Sequence, residues 1–415
     1  MNILVIAYKF SPFPGVGARR FTSLVTEFAD LGHTVDVITL DWPGDLENVS
    51  IHKNIRLHKI PSNYWHSLHY STDCSMHFLC RIFRKLYVTF FRLFQCWDDE
   101  AQIWGRYLLP AAESIIQIYE VDTIIATGHP FQANYLASVI KKRNPSIRLI
   151  QDFRDPWLAS WSVNFFKSRR LKFTKMQADA CASADLIVTV TDHLCHFYSK
   201  LLPKSSLNPM IKLIPNGYDE KSISLALSNV KSKCPDLHSK KIIITHIGNI
   251  SNGRDESFNI FLQSIDQLNP VIKANLVINF AGYIPSGLLR INENILSFLD
   301  FTYFGQVGYQ EALDLAAQSD FVLHFGSKVF IDARSTKIYE YAAMNKTLIS
   351  FNFGGELDSF IKKYSIGHSI NLNQCNSVPF VLEKILFSEQ KFDFLIDEFS
   401  YRNLAIKYIN QIHNI

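Results

Sequence analysis

The sequence predicts an α/β protein of two doubly wound domains, each built on a parallel sheet. Three observations carry that reading. Short apolar runs rich in Ile, Leu, Val and Phe alternate with amphipathic segments along nearly the whole chain, the pattern of strand–helix–strand units. The runs lack the polar/apolar alternation of a sheet with one wet face, so both faces are covered, as in parallel sheets. The series halts at Pro215-Asn216-Gly217 and then restarts, and 415 residues suffice for two to three domains at roughly 150 residues each.

The first series opens with ILVIAY (3–8), a Pro/Gly loop, and a helix from Ala18 to Leu31 with Phe21, Leu24, Val25, Phe28 and Leu31 at helical spacing. Gly32 ends that helix and TVDVITL begins the next strand. TIIAT (123–127), IRLIQ (147–151), LIVTV (186–190) and IKLIP (211–215) are further strands, with helical patterns at 101–118, 131–143, 165–182 and 192–202. A polar stretch with Ser222, Ser224, Ser228, Ser232 and Pro235 reads as a connection. The second series comprises KIIITHIG (241–248), LVINFAG (276–282), FTYFG (301–305), FVLHFG (321–326) and TLISFNFG (347–354), with helices at 255–268, 309–318, 336–344 and 356–363. The expected domains are 1–217 and 218–396, followed by a last segment at 397–415. Ligands of such sheets bind beyond the carboxyl ends of the strands, so the two sheets are expected to face each other across a cleft.

Composition narrows the function. Hydrophobic residues make up 47% and charged residues 19%, which excludes disorder as the main state. Forty-two Lys and Arg against 38 Asp and Glu leave +4, too small a surplus for a dedicated nucleic-acid binder. The seven cysteines are scattered without a C-x-x-C pair, which suits a reducing cytoplasm and suggests no metal or redox centre. MNILVIAYKF lacks a basic n-region and a cleavage site, and no run reaches the about 18 apolar residues of a membrane span.

Residues 76–97, MHFLCRIFRKLYVTFFRLFQCW, predict a cationic amphipathic helix. His77, Arg81, Arg84, Lys85 and Arg92 share one side, and Leu79, Ile82, Phe83, Leu86, Phe90, Leu93 and Phe94 the other. Such a helix either lies in an anionic membrane interface or packs its apolar side on protein.

Four segments carry residues suited to chemistry. In SPFPGVGARRF, Gly15 and Gly17 let backbone amides approach a ligand ahead of Arg19 and the helix, without the spacing of a dinucleotide fingerprint or a phosphate loop. TGHPFQA places His129 at a strand's carboxyl end, and QDFRDPW places Asp152, Arg154 and Asp155 at another, a set able to position a hydroxyl and take its proton. HIGNISNGRDES sets Gly248, Asn249, Gly253 and Arg254 between strand and helix. FIDARSTKIYEYAA spaces Asp332 eight residues before Glu340, with Arg334, Ser335, Thr336 and Lys337 between. If Ser335 or Thr336 caps the helix, Lys337 lies in its first turn. Arg254 and Lys337 are then placed to neutralise a pyrophosphate, and Glu340 to hold ribose hydroxyls.

These segments, with GHTVDVIT, ADLIVTVTD, IPNGYD and STKIYEYAAMNKTLI, resemble the retaining, nucleotide-sugar-dependent glycosyltransferases of GT-B fold that build bacterial capsule, O-antigen and other surface polysaccharides. The resemblance spans essentially the whole chain. It implies two Rossmann-like domains, the first binding acceptor and the second the nucleotide sugar, with the segment 397–415 crossing back as a helix onto the first. It makes Glu340 the second acid of the family's Glu-x7-Glu region, with Asp332 in the first position, a departure from Glu. It matches Arg254 and Lys337 to the cations that stabilise the departing nucleoside diphosphate, without a metal or any cofactor beyond the nucleotide sugar as co-substrate. Gly15, Gly17, Gly248, Asn249, Ser335 and Thr336 fall on the donor, His129 and Asp155 near the acceptor hydroxyl, and Arg19 and Arg154 on the acceptor side. The implied partners are a nucleotide sugar and a glycan or polyprenyl-linked acceptor, handled in the cytoplasm or at the inner membrane face. A nucleotide-sugar 2-epimerase and a non-catalytic glycan-binding or scaffold subunit are the alternatives.

Overall fold

The computed structural model describes residues 1–13, 15–42, 52–61, 82, 86, 101, 104–159, 167–202, 209–230, 241–387 and 396–415. The chain divides into two compact units, Met1–Pro215 with Tyr401–Ile415, and Asn216–Ser400.

The first unit holds seven strands, β1 (Asn2–Ala7), β2 (Thr34–Leu40), β3 (Ile55–Ile60), β4 (Thr123–Gly128), β5 (Arg148–Phe153), β6 (Leu186–Thr189) and β7 (Met210–Leu213). They form one sheet in the order β3-β2-β1-β4-β5-β6-β7, parallel at every pairing. Successive β1 side chains enter opposite layers. Leu4, Ile6 and Tyr8 pack with Trp104, Leu108 and Ala137, while Ile3, Val5 and Ala7 pack with Phe21, Leu24, Val25 and Phe28 of the Val16–Asp30 helix. The terminal helix Tyr401–His413 joins this second layer through Leu404, Tyr408 and Ile412. Covering both faces makes the near-continuous apolar strands of the sequence affordable in water.

The second unit repeats the plan with β8 (Ile242–Ile247), β9 (Leu276–Ala281), β10 (Asp300–Gly305), β11 (Phe321–Phe325), β12 (Thr347–Asn352) and β13 (Gly367–Asn371). Their order is β10-β9-β8-β11-β12-β13, again all parallel. Ile247, Val322 and Leu348 face one layer, and Ile244, Leu323, Phe325 and Ile349 the other.

Several boundaries differ from expectation. The polar stretch after Gly217 begins with a helix, Glu220–Ser228, because the Asp219 carboxylate accepts from the Ser222 amide at 2.8 Å and caps it. The terminal helix starts at Tyr401 rather than 397, since Ser400 is extended and bridges Tyr218. The Phe399 carbonyl also accepts from the Tyr218 amide, which keeps 396–400 in the second unit. The unit boundary falls after Pro215 rather than after Gly217. The cationic segment 76–97 lies outside the described residues except Ile82 and Leu86, which are helical and 41% and 62% exposed. Among the described residues, no helix is long and apolar enough to cross a membrane.

Candidate functional site

In a doubly wound sheet the crevice opens where the strand order reverses, at the carboxyl ends of the two strands flanking that point. The strand order puts this between β1 and β4 in the first unit and between β8 and β11 in the second.

In the second unit, β8 runs into Gly248 at φ +138°, a conformation that favours glycine. Its amide donates to the Ala281 carbonyl at 2.7 Å, and a Cβ there would collide with the Nζ of Lys337. The chain turns through Asn252 and Gly253, both at positive φ, into the Asp255–Asp266 helix. Arg254 stands just before that helix, half-buried, with one hydrogen bond to the Ser251 carbonyl at 3.3 Å and its guanidinium 5.3 Å from the Phe330 ring centroid. Among the described residues no carboxylate pairs with it, and burial pulls its pKa down from the ordinary arginine value. A cation held out of water without an anionic partner is a site prepared for an anionic ligand.

Arg254 lines a cavity of about 130 Å³ together with His324, Gly326, Ser327, Ser335 and Gly354. These follow or end β8, β11 and β12, so the cavity sits at the reversal point. His324 is buried and held to about 3, first by burial and then by the charges of Lys337 and Arg254. His246, at the end of β8, is pushed well below its ordinary pKa by burial and then by Lys337. Two neutral imidazoles therefore floor a rim that carries two cations.

Glu340 is 5% exposed and accepts a hydrogen bond from the Tyr309 hydroxyl at 2.8 Å. Lys337 opens the Lys337–Ala343 helix, but the expected cap is not made. Thr336 has a helical backbone (φ −68°, ψ −27°) and forms no side-chain cap bond. An N-cap oxygen reaches back to the helix amides only from an extended residue. Ser335 lines the cavity instead, and Asp332 is exposed in the preceding turn. Arg334 pairs with Glu356 at 2.7 Å and donates to the Tyr339 hydroxyl at 3.1 Å, so its charge is compensated inside the unit. Asn249 accepts from the Tyr283 amide at 2.8 Å and fastens the turn after β9.

The corresponding place in the first unit is built differently. Gly15 precedes the Val16–Asp30 helix, and a Cβ on Gly17 would collide with the Arg154 guanidinium. Arg154 donates from Nε and Nη2 to the Gly128 carbonyl at 3.2 and 3.1 Å, joining the chain after β5 to the end of β4. His129 follows directly, 5.6 Å between centroids from Phe131. Asp155 is exposed, and its carbonyl accepts from the Tyr198 hydroxyl. Arg19 is half-buried in the first turn of its helix.

Asp152, grouped by sequence with Arg154 and Asp155, does not share their exposure. It is fully buried and paired with buried Arg20 at 3.3 Å, with the Tyr408 hydroxyl at 3.4 Å. Burial raises its pKa, against the opposing pull of Arg20 and Arg154. Arg20 also donates to the Ile214 and Pro215 carbonyls at 3.0 and 2.5 Å. This group joins β5, the first helix and the terminal helix, and it leaves Asp152 no access to a ligand. Sequence reasoning missed Arg20, Tyr408, Tyr309, His246 and His324, since a lone polar residue inside an apolar run carries no signal of its partner. Among the described residues, no three His, Cys, Asp or Glu side chains gather as metal ligands do.

No protein-family model and no curated protein matches the chain. Solved structures do. Sucrose-phosphate synthase from Thermosynechococcus elongatus aligns over 100% of this chain and 98% of its own at 12% identity, TM-score 0.65. The UDP-forming α,α-trehalose-phosphate synthase from Burkholderia xenovorans, solved with glucose-6-phosphate, aligns over 100% and 99% at 12% identity, TM-score 0.66. WaaG, a glycosyltransferase involved in lipopolysaccharide biosynthesis, aligns over 98% and 95% at 14% identity, TM-score 0.56. With two all-parallel Rossmann-like sheets in one chain, this likeness assigns the protein the GT-B fold.

Proposed function

We propose that the protein is a glycosyltransferase that moves a sugar from a nucleoside diphosphate sugar to a glycan or polyprenyl-linked acceptor. The observation that carries the reading is Arg254, half-buried, facing no carboxylate among the described residues, at the same reversal point as Lys337. A leaving diphosphate gathers negative charge as the glycosidic bond breaks, and prepositioned cations in a partly desolvated site stabilise that charge most where it develops. Arg254 and Lys337 supply this stabilisation in the proposal, which requires no divalent metal and no cofactor. Glu340, which accepts from Tyr309, holds the ribose hydroxyls in this reading, and the turns at Gly15–Gly17 and Gly248 bring backbone close to ligand.

Retention of anomeric configuration belongs to the same reading. In the first unit the buried carboxylate Asp152 is held by Arg20, and Asp155 is exposed. In this mechanism the departing phosphate takes the acceptor proton, on the face that the sugar bond leaves, with His129, Arg154 and Asp155 positioning the hydroxyl. We assign the reaction to surface-polysaccharide assembly in the cytoplasm. The cationic segment 76–97 attaches the protein to anionic lipid on this reading, supported by the exposure of Ile82 and Leu86 on its apolar side. Flotation with anionic liposomes tests the attachment, and association unchanged after Arg81, Arg84 and Arg92 become Glu would refute it.

Nucleoside diphosphate release from a panel of nucleotide sugars, with and without polyprenyl-linked glycans, tests the reaction. Acceptor-dependent release with an α-donor giving an α-product is expected. Release of free nucleotide with a 2-epimerised sugar, or silence across the panel, would overturn it.

A further inference from the structure

Beneath the cations at the β8–β11 reversal lies a group that the clamp does not yet use. His246 is 4% exposed, and its ring packs with those of Phe280 and Phe325 at centroid distances of 4.7 and 4.8 Å. Nδ1 lies 2.9 Å from the Leu323 carbonyl oxygen on β11. A carbonyl only accepts, so Nδ1 carries the proton, and in the neutral ring Nε2 is a lone pair. Nε2 is buried and has no hydrogen-bond partner among the described residues. Gly248 shows what it borders: a Cβ there would collide with Lys337 Nζ and lie 3.5 Å from His246 Nε2. The orphaned acceptor thus borders the small volume that the Lys337 ammonium occupies, and the absence of a side chain at Gly248 leaves room for it.

We propose that His246 is a positioning residue for Lys337, its Nε2 accepting a hydrogen bond from the ammonium when the site takes up a diphosphate and so aiming the remaining N–H bonds at the anion. The proposal rests on the reading of Lys337 as part of the diphosphate clamp. An ammonium has three donors on a flexible stem, and one fixed acceptor removes much of that freedom. Burial and the Lys337 charge keep the imidazole neutral, as an acceptor must be. A purely packing role between two phenylalanines would be served equally well by a third.

The test uses the full chain, with inorganic pyrophosphate and nucleoside diphosphates as probes. In wild type labelled with ¹⁵N-histidine, pyrophosphate is expected to move the His246 Nε2 resonance toward the hydrogen-bonded position, and in Lys337→Met to leave it in place. By calorimetry, His246→Phe is expected to weaken diphosphate binding about tenfold, the worth of one charge-assisted hydrogen bond. It should have no further effect in a Lys337→Met background, and His246→Gln, which restores an acceptor, should recover most of the loss. Binding without movement of the resonance, or the same loss from His246→Phe in both backgrounds, overturns the positioning role alone. Absence of binding to wild type by any probe overturns the clamp and this proposal together.

Discussion

The two units share a topology and differ in how their reversal points treat charge. At β1–β4, Arg20 is matched by buried Asp152, and Arg154 spends two donors on the Gly128 carbonyl. At β8–β11, Arg254 has no carboxylate partner among the described residues, while the neighbouring Arg334 is paired with Glu356. A fold that pairs Arg20 and Arg334 with carboxylates and leaves Arg254 without one keeps that charge for something outside itself. The difference teaches that one architecture yields a self-contained rim in one unit and an anion-ready rim in the other.

The largest expected effect probes the self-contained side. Asp152→Ala strands a buried guanidinium, and about 3–5 kcal/mol of the first unit's stability should be lost in urea unfolding. Diphosphate affinity measured on the remaining folded protein should not change. A parallel loss of affinity would mean that the two rims are not separate in role.

On the other side, Arg254→Ala is expected to lower turnover about 10²–10³-fold, the range for removing one prepositioned donor from a developing anion, with little change in melting temperature. Loss of stability with turnover retained would make Arg254 structural and erase the contrast. Next in size, Tyr309→Phe removes one hydrogen bond from Glu340 and should weaken nucleoside diphosphate binding by a few-fold, about 1 kcal/mol by calorimetry. Unchanged affinity would detach Glu340 from the ligand.

The smallest effect near neutrality concerns His324. Its pKa is about 3 in the folded chain against 6.5 for an ordinary histidine. The unfolded chain therefore takes up the proton first as pH falls. The stability present above 6.5 is lost progressively toward about 3, by at most about 1.4 kcal/mol per pH unit. His324→Gln should flatten that slope relative to wild type in urea midpoints taken at successive pH values. An identical slope would place the imidazole in water rather than beneath the cations.

Much of the architecture is legible in the sequence because both sheets are covered on both faces, so each central strand is an apolar run. Of the four edge strands, β3 (IRLHKI) and β13 (GHSIN) are less legible: Arg56, His58 and Lys59 interrupt the three aliphatics of the first, and the second has only Ile370. The Glu220–Ser228 helix hides in a serine-rich segment since its start depends on one capping carboxylate. At the site, the type and spacing of Arg254, Lys337 and Glu340 stand out in single segments. The roles of Asp152 and the two histidines depend instead on partners 132, 77 and 26 positions away, Arg20, Leu323 and Ser350. Spacing along one segment cannot report such pairs, and the same limit explains why Thr336 reads as a cap until its backbone is known.

The central claim, that the β8–β11 rim is a diphosphate clamp, is tested most directly by titrating the full chain with matched nucleoside mono- and diphosphates. For at least one base, the diphosphate is expected to bind tenfold or more tightly, about 1.4 kcal/mol, and Arg254→Ala and Lys337→Ala should each abolish most of that preference. Equal affinities for the two nucleotides, or a preference that survives both substitutions, would contradict the account.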